Sequence, residues 1–286
     1  MKNMKEISTI KEAKQWLKPY LKKNLKIGFV PTMGALHEGH LRLIRQSKNE
    51  NDVTVSSVFV NPIQFNNPDD LAKYPRNLSM DARLLSSNGC DMLFCPGVEE
   101  MYPNGKTDNI EIEFGLLDKV MEGKFRPGHF KGVLIVVKKL LDVIRPSCAY
   151  FGKKDLQQLM VITRMKEALG LPVNIIASET VREDDGLAMS SRNLLLTIGE
   201  RQVARRIFEV LCKVREKGTK TPVWELREWA IKKIQEDSRF RVEYFEIADR
   251  ETLMPIENWG QKSQAVALTA VFLGDVRLID NVELFL

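Results

Sequence analysis

Lys26-Ile27-Gly28-Phe29-Val30-Pro31-Thr32-Met33-Gly34-Ala35-Leu36-His37-Glu38-Gly39-His40 is the stretch that decides the fold. Its first five residues form a β-rich run, and a helical pattern over 40–48 follows the two glycines. A strand that feeds a glycine turn and then a helix is half of a crossover unit. Gly34 and Gly39 let the backbone turn and approach a ligand closely. A helix starting near Gly39 aims its first N–H groups and its positive dipole end at an anion. His37 and His40, three positions apart, face the same side of that first turn.

Working outward, residues 52–60, 90–95, 148–151 and 173–177 also read as strands, alternating with helical patterns over 78–87, 130–144 and 155–169. The alternation predicts an α/β fold: a doubly wound, mainly parallel Rossmann-like sheet, whose ligands bind beyond the carboxyl ends of the strands. After Ser178 the pattern changes. A polar stretch over 179–193 leads to Thr197-Ile198-Gly199-Glu200, a capping box opening a helix to about 217. Thr221-Pro222 opens another to about 238, with proline at its first helical position. Strand-like runs follow at 240–247, 265–273 and 276–278. The expected organisation is a nucleotide-binding domain over 1–180 and a smaller α+β C-terminal domain over 181–286.

The 286 residues are 44% hydrophobic and 28% charged, which excludes disordered and fibrous classes. A net charge of +5 suits small anionic ligands and is too slight to imply nucleic acid. The longest apolar run, Val133-Leu134-Ile135-Val136-Val137, is far short of a membrane span, and residues 1–17 lack the apolar core of a signal peptide. A cytoplasmic protein without membrane association is expected. Cysteines 90, 95, 148 and 212 form no Cys-x-x-Cys pair and read as small buried hydrophobes.

For the histidine pair three readings compete. A structural pair is one. A zinc site is disfavoured, because His-Glu-Gly-His lacks the i,i+4 spacing and no third ligand is evident. A phosphate site fits the strand–turn–helix context best.

The His-x-Gly-His segment resembles the signature of nucleotidylyltransferases and class I aminoacyl-tRNA synthetases, and Ala188-Met189-Ser190-Ser191-Arg192 looks like their mobile Lys/Ser segment. More of the chain narrows the likeness. Residues 31–40, Phe59-Val60-Asn61-Pro62-Ile63-Gln64-Phe65, Tyr74-Pro75-Arg76, Glu122-Gly123 with Arg126-Pro127-Gly128-His129-Phe130, Phe151-Gly152-Lys153-Lys154-Asp155 with Gln157-Gln158, and Met189-Ser190-Ser191-Arg192-Asn193 together resemble the pantothenate synthetase (pantoate–β-alanine ligase) family.

That resemblance implies an ATP-dependent ligase that joins pantoate to β-alanine through a pantoyl adenylate and releases AMP and pyrophosphate. It assigns Met33, Gly34, Ala35, Leu36, His37, Glu38, Gly39, His40, Gly152, Lys153, Lys154, Asp155, Val181, Met189, Ser190, Ser191 and Arg192 to ATP. His40, His37 and Lys154 take the catalytic roles, with His40 the proton donor. Gln64 and Gln158 contact pantoate, and Gln64 also faces β-alanine. Pro31, Met33, Phe65, Val133 and Val136 are candidates for the apolar wall beside pantoate, the last two being equally consistent with helix packing. Asp81 stands where the family has an aspartate associated with the Mg²⁺ that accompanies ATP; the alternative is an exposed helix aspartate. Asn61, Glu122, Arg192 and Asn193 are further candidates for polar contacts, and His129 is expected near the site. Residues 61–77 and 183–192 are candidate loops for closing over the adenylate. A homodimer is implied by the family alone.

Other functions remain to be separated. A stand-alone nucleotidylyltransferase would stop after releasing pyrophosphate, a tRNA-binding relative would need a basic recognition surface, and a non-catalytic ATP switch would not need Gln64 and Gln158 together.

Overall fold

The computed structural model describes residues 4–107, 115–260 and 264–285. Six parallel strands, β1 (Lys5–Ile7), β2 (Ile27–Thr32), β3 (Val53–Val58), β4 (Met92–Phe94), β5 (Cys148–Gly152) and β6 (Asn174–Ser178), lie in the order β1-β4-β3-β2-β5-β6. The helices of this part are α1 (Ile10–Lys22), α2 (Glu38–Glu50), α3 (Pro68–Lys73), α4 (Leu78–Ser87), α5 (Val98–Met101), α6 (Met121–Phe125), α7 (His129–Ile144) and α8 (Leu156–Ala168). From β2 the chain builds outward to β3 and β4, then returns to lay β5 on the other side of β2. The crevice outside the carboxyl ends of β2 and β5 is therefore the switch point where such sheets take their ligands.

The rest of the chain carries α9 (Ile198–Val203), α10 (Arg206–Lys217), α11 (Val223–Ile234) and an antiparallel sheet of β7 (Phe240–Asp249), β8 (Gln264–Leu273) and β9 (Val276–Phe285), ordered β7-β8-β9. Alternate residues of these strands, among them Phe245, Ile247, Ala267, Val271 and Leu278, join Leu211, Leu226 and Ile234 of α10 and α11 in one core.

Two compact units emerge, and they are not simple halves: 115–125 and 154–157 group with 180–286, while 126–153 and 158–179 group with the N-terminal residues. The cause is visible within the second unit. Glu122 on α6 pairs with Arg277 on β9 through two hydrogen bonds of 2.9 and 2.7 Å and accepts one from the Tyr244 hydroxyl at 2.9 Å. The buried Gln157 amide donates to the carbonyls of Leu117 and Val120 and accepts from the Glu122 N–H.

Several expectations need correction. The short edge strand β1 and α1 precede the first strand read from the sequence; α1 carries Ile10, Ala13, Trp16, Leu17, Tyr20 and Leu21 at helical spacing, and only Ile7, Ala13 and Leu17 of the two elements are buried. Residues 61–77 are not an open loop: a 3₁₀ turn (Pro62–Gln64) and α3 occupy them, the latter capped by the Asn67 side chain. The helix expected over 197–217 is tightened at Ala204 and Arg205, where Ile207 N–H bonds the Ala204 carbonyl three residues back. Pro222, with ψ 144°, is the cap preceding α11 rather than its first residue. The last strand runs ten residues instead of three. Of the four free cysteines only Cys90 is fully buried, and burial pushes its thiol up to about 12.

Candidate active site

Each unit contributes a set of the sequence-predicted residues. In the first, the turn after β2 is held rigid from below. Thr32 Oγ1 donates to the Ser57 carbonyl at 2.7 Å and accepts from Gly34 N–H at 3.2 Å. The Asp81 carboxylate on α4 accepts the next two amides, Ala35 at 3.0 Å and Leu36 at 2.8 Å. Gly34 has φ +85°, and a Cβ there would sit 2.9 Å from Asp81 Oδ2 and 3.0 Å from Val58 Cγ1. Ala35 follows at φ 50°, a left-handed conformation that a non-glycine residue holds only when its surroundings fix it. Gly39 lies inside α2 and needs no such freedom.

Asp81 is thus not an exposed helix aspartate. It is 2% exposed, burial raises its pKa against the opposing pull of the two amide bonds, and each oxygen already accepts an N–H. Among the described residues no group of three or more His, Cys, Asp or Glu could hold a metal ion. The aspartate shapes the turn, a role its spacing from Tyr74 does not reveal.

His37 precedes α2 in extended conformation and His40 is the helix's third residue, with ring centroids 4.1 Å apart. The His37 N–H donates to His40 Nδ1 at 3.4 Å, which leaves the proton of a neutral His40 ring on Nε2. Both rings stand at the end of α2 whose first N–H groups lack intrahelical acceptors. Glu38 is exposed and ion-paired with Arg45.

Gln64 ends the 3₁₀ turn after β3 and is 6% exposed. Its Nε2 donates to Met33 Sδ at 2.9 Å, and its Oε1 accepts from Asn61 Nδ2 at 3.0 Å. Asn61 in turn donates to the Gly132 carbonyl at 3.1 Å and accepts from the Tyr102 hydroxyl at 2.8 Å. His129 Nδ1 lies 2.8 Å from the Gln64 carbonyl, and an Arg126 guanidinium nitrogen lies 3.1 Å from its Nε2. Arginine can only donate, so Nε2 accepts and the Nδ1 proton goes to Gln64. Gly132 lets α7 approach this turn: a Cβ there would meet the Ile63 carbonyl oxygen at 2.4 Å. Val133 and Val136 are buried in α7, and Phe65 is half-buried with its ring edge-on to Tyr74. Lys153, at the end of β5, pairs with Glu179.

In the second unit Lys154 is half-buried, its Nζ 3.8 Å from Asp155. Val181 and Met189 face each other across a tight reversal in which Met189 N–H donates to the Val181 carbonyl at 3.0 Å. The Ser190 hydroxyl caps the following 3₁₀ turn (Ser191–Leu195) by accepting from Arg192 N–H, and Ser191 is buried. Asn193, expected to make a ligand contact, donates its amide to the Ala188 carbonyl and shapes the segment. Glu122, expected to do the same, is engaged in its ion pair with Arg277. Gln158 is half-buried on α8 in the first unit. Asp81's anchoring role, Gly132, Tyr102 and Gln157 are what sequence reasoning missed, because each acts through a partner remote in the chain.

A parallel, doubly wound sheet with paired imidazoles and a helix N-terminus at its switch point defines an α/β protein of the class whose sheets take their ligands at that crevice. The profile of the Pantoate-beta-alanine ligase family matches residues 5–283. A pantothenate synthetase of Bacteroides fragilis is 47% identical over 280 residues, covering 98% of this chain and 99% of its own, and that of Cytophaga hutchinsonii is 44% identical over 285 residues, covering 99% and 100%. The crystal structure of pantothenate synthetase from Thermus thermophilus superposes with TM-score 0.92 at 42% identity, covering 99% of this chain and 100% of that one. A pantoate–β-alanine ligase from Francisella tularensis, complexed with a β,γ-ATP compound and β-alanine, gives 0.82 at 37%, covering 98% and 97%. The chain belongs to the pantoate–β-alanine ligase family, and it is a ligase.

Proposed function

We propose that the protein joins pantoate to β-alanine in two steps at the expense of ATP. A pantoate carboxylate oxygen attacks the α-phosphorus of ATP, forming a C(O)–O–P link as the bond to pyrophosphate breaks. The β-alanine amine then attacks the acyl carbon, loses a proton, and displaces AMP. Adenylation is needed because a free carboxylate repels nucleophiles and has no good leaving group.

One observation carries the reading: the turn at 33–40 is pre-shaped by Asp81 and Thr32, with His37 and His40 side by side at the start of α2, their rings tilted by 41°. Negative charge grows on the departing pyrophosphate, so donors fixed beforehand lower the barrier without reorganising. His40, the proton donor by the resemblance, presents its Nε2–H to that charge as a hydrogen-bond donor, and the α2 amides and His37 add to the field. The resemblance assigns Lys154, Ser190, Ser191 and Arg192 to the same nucleotide, with Gly152, Lys153, Asp155, Val181 and Met189. Gln64 and Gln158 take the hydroxyl and carboxylate groups of pantoate, and Met33 against Gln64 joins an apolar surface to that amide. A Mg²⁺ accompanying the triphosphate would be held chiefly by phosphate oxygens and water, with Asp81 the carboxylate the resemblance assigns to it, and would offset charge on the phosphates. ATP use suits a cytoplasmic location, and the family supports a homodimer.

The test is direct. Purified protein given ATP, Mg²⁺ and D-pantoate should release pyrophosphate and hold an adenylate, and should yield pantothenate and AMP once β-alanine is added. Release of AMP regardless of β-alanine would contradict the ligase reading. His40→Ala should lower adenylate formation by about 10²–10⁴-fold, with thermal unfolding unchanged.

A further inference from the structure

β9 belongs to the C-terminal core, yet two consecutive residues on it turn away from that purpose. Asp280 is 4% exposed, and its carboxylate accepts both arms of the Arg182 guanidinium at 2.7 and 2.9 Å. Arg182 also donates to the Gly186 carbonyl at 3.1 Å and the Asn281 carbonyl at 3.3 Å, and lies 3.7 Å from the centre of the Phe208 ring. It bridges to Ala188, so the whole reversal from Val181 to Met189 is tied to β9. Asn281 follows: its amide donates to the Lys154 carbonyl at 2.8 Å, while its own N–H closes back onto Asp280 Oδ1 at 2.8 Å.

A buried carboxylate–guanidinium pair is a poor device for stability alone, since apolar residues of like volume usually serve as well. What it adds is a fixed position for whatever it holds. Here the pair holds the segment leading into Ser190, Ser191 and Arg192, and the adjoining Asn281 amide holds the backbone of Lys154. We infer that Asp280 and Asn281 are positioning residues for the nucleotide: one dipeptide of the last strand sets Lys154 and the 181–192 segment in register with each other. The inference rests on the assignment of those residues to ATP under the proposed function.

Steady-state KM values for ATP and pantoate, with unfolding midpoints, separate the possibilities in the wild type, Asn281→Ala, Asp280→Asn and Lys154→Gln. Asn281→Ala and Asp280→Asn should each raise the ATP KM about tenfold or more while the pantoate KM stays within about twofold. A purely structural role would lower the midpoint and leave the ATP KM unchanged, or move both KM values together; either result overturns the inference. Should Asn281→Ala or Asp280→Asn not fold, Asn281→Leu decides, because it nearly keeps the side-chain shape and removes the amide donor without adding a charge. An unchanged ATP KM in Lys154→Gln would instead overturn the assignment of Lys154 to the nucleotide.

Discussion

Gln64 owes its place to five neighbours rather than to its own helix. Met33 and Asn61 hold its amide and His129 its carbonyl, while Tyr102 and the Gly132 carbonyl in turn fix Asn61. Gln64→Ala is expected to lower kcat/KM for pantoate by about 10²-fold with little change in the ATP KM, measured by coupled AMP release. His129→Phe removes the donor to a buried carbonyl and should cost about 1–3 kcal/mol in urea unfolding, together with a raised pantoate KM. A urea midpoint equal to wild type would show that the carbonyl finds another donor. The glutamine itself is legible from the motif around it. Its supports are legible only in part: His129 is expected near the site but not as the donor to the Gln64 carbonyl, and Tyr102, 38 positions further on, is marked by nothing local.

Helices and turns show the same division. The strand–turn–helix at 27–50 is readable because a β-rich run, two glycines and a capped helix all agree. The closeness of α7 to the Gln64 turn is not, because a glycine inside a helix looks the same whether it faces water or a backbone. Gly132→Ala should therefore be unusually costly for an exchange that ordinarily favours a helix. A loss of about 1–3 kcal/mol and a raised pantoate KM are expected by urea unfolding and kinetics. Between 183 and 201 an ion pair does the joining: Arg201 on α9 donates to Asp185 at 2.5 and 3.2 Å and holds its carboxyl below the usual carboxylate range. A lowered folded value means stability that is full above the unfolded value near pH 4 and lost as pH falls through the folded one. Arg201→Leu should thus be less stable by about 0.5–1 kcal/mol at pH 7, the gap closing below about pH 4. A gap that stays constant down to pH 3 would mean that packing, not charge, links the two.

Across the whole molecule, the family is foreshadowed by ordered motifs between residues 31 and 193, the parallel sheet by the alternation of strand and helix patterns, and the C-terminal strands by the β-rich runs after 240. The assignment of 115–125 to the C-terminal unit is not, because it depends on Glu122 finding Arg277 and Tyr244 more than a hundred residues away. The role of the last strand is hidden for the same reason: Asp280 and Asn281 sit in a run that reads as plain β-strand. The central claim, that carboxylate activation passes through an acyl phosphate ester of AMP, is tested most directly with pantoate carrying ¹⁸O in both carboxylate oxygens. Turnover with ATP and β-alanine should deliver one ¹⁸O per cycle into the phosphate of AMP. Label appearing in inorganic phosphate beside ADP, with none in AMP, would contradict it.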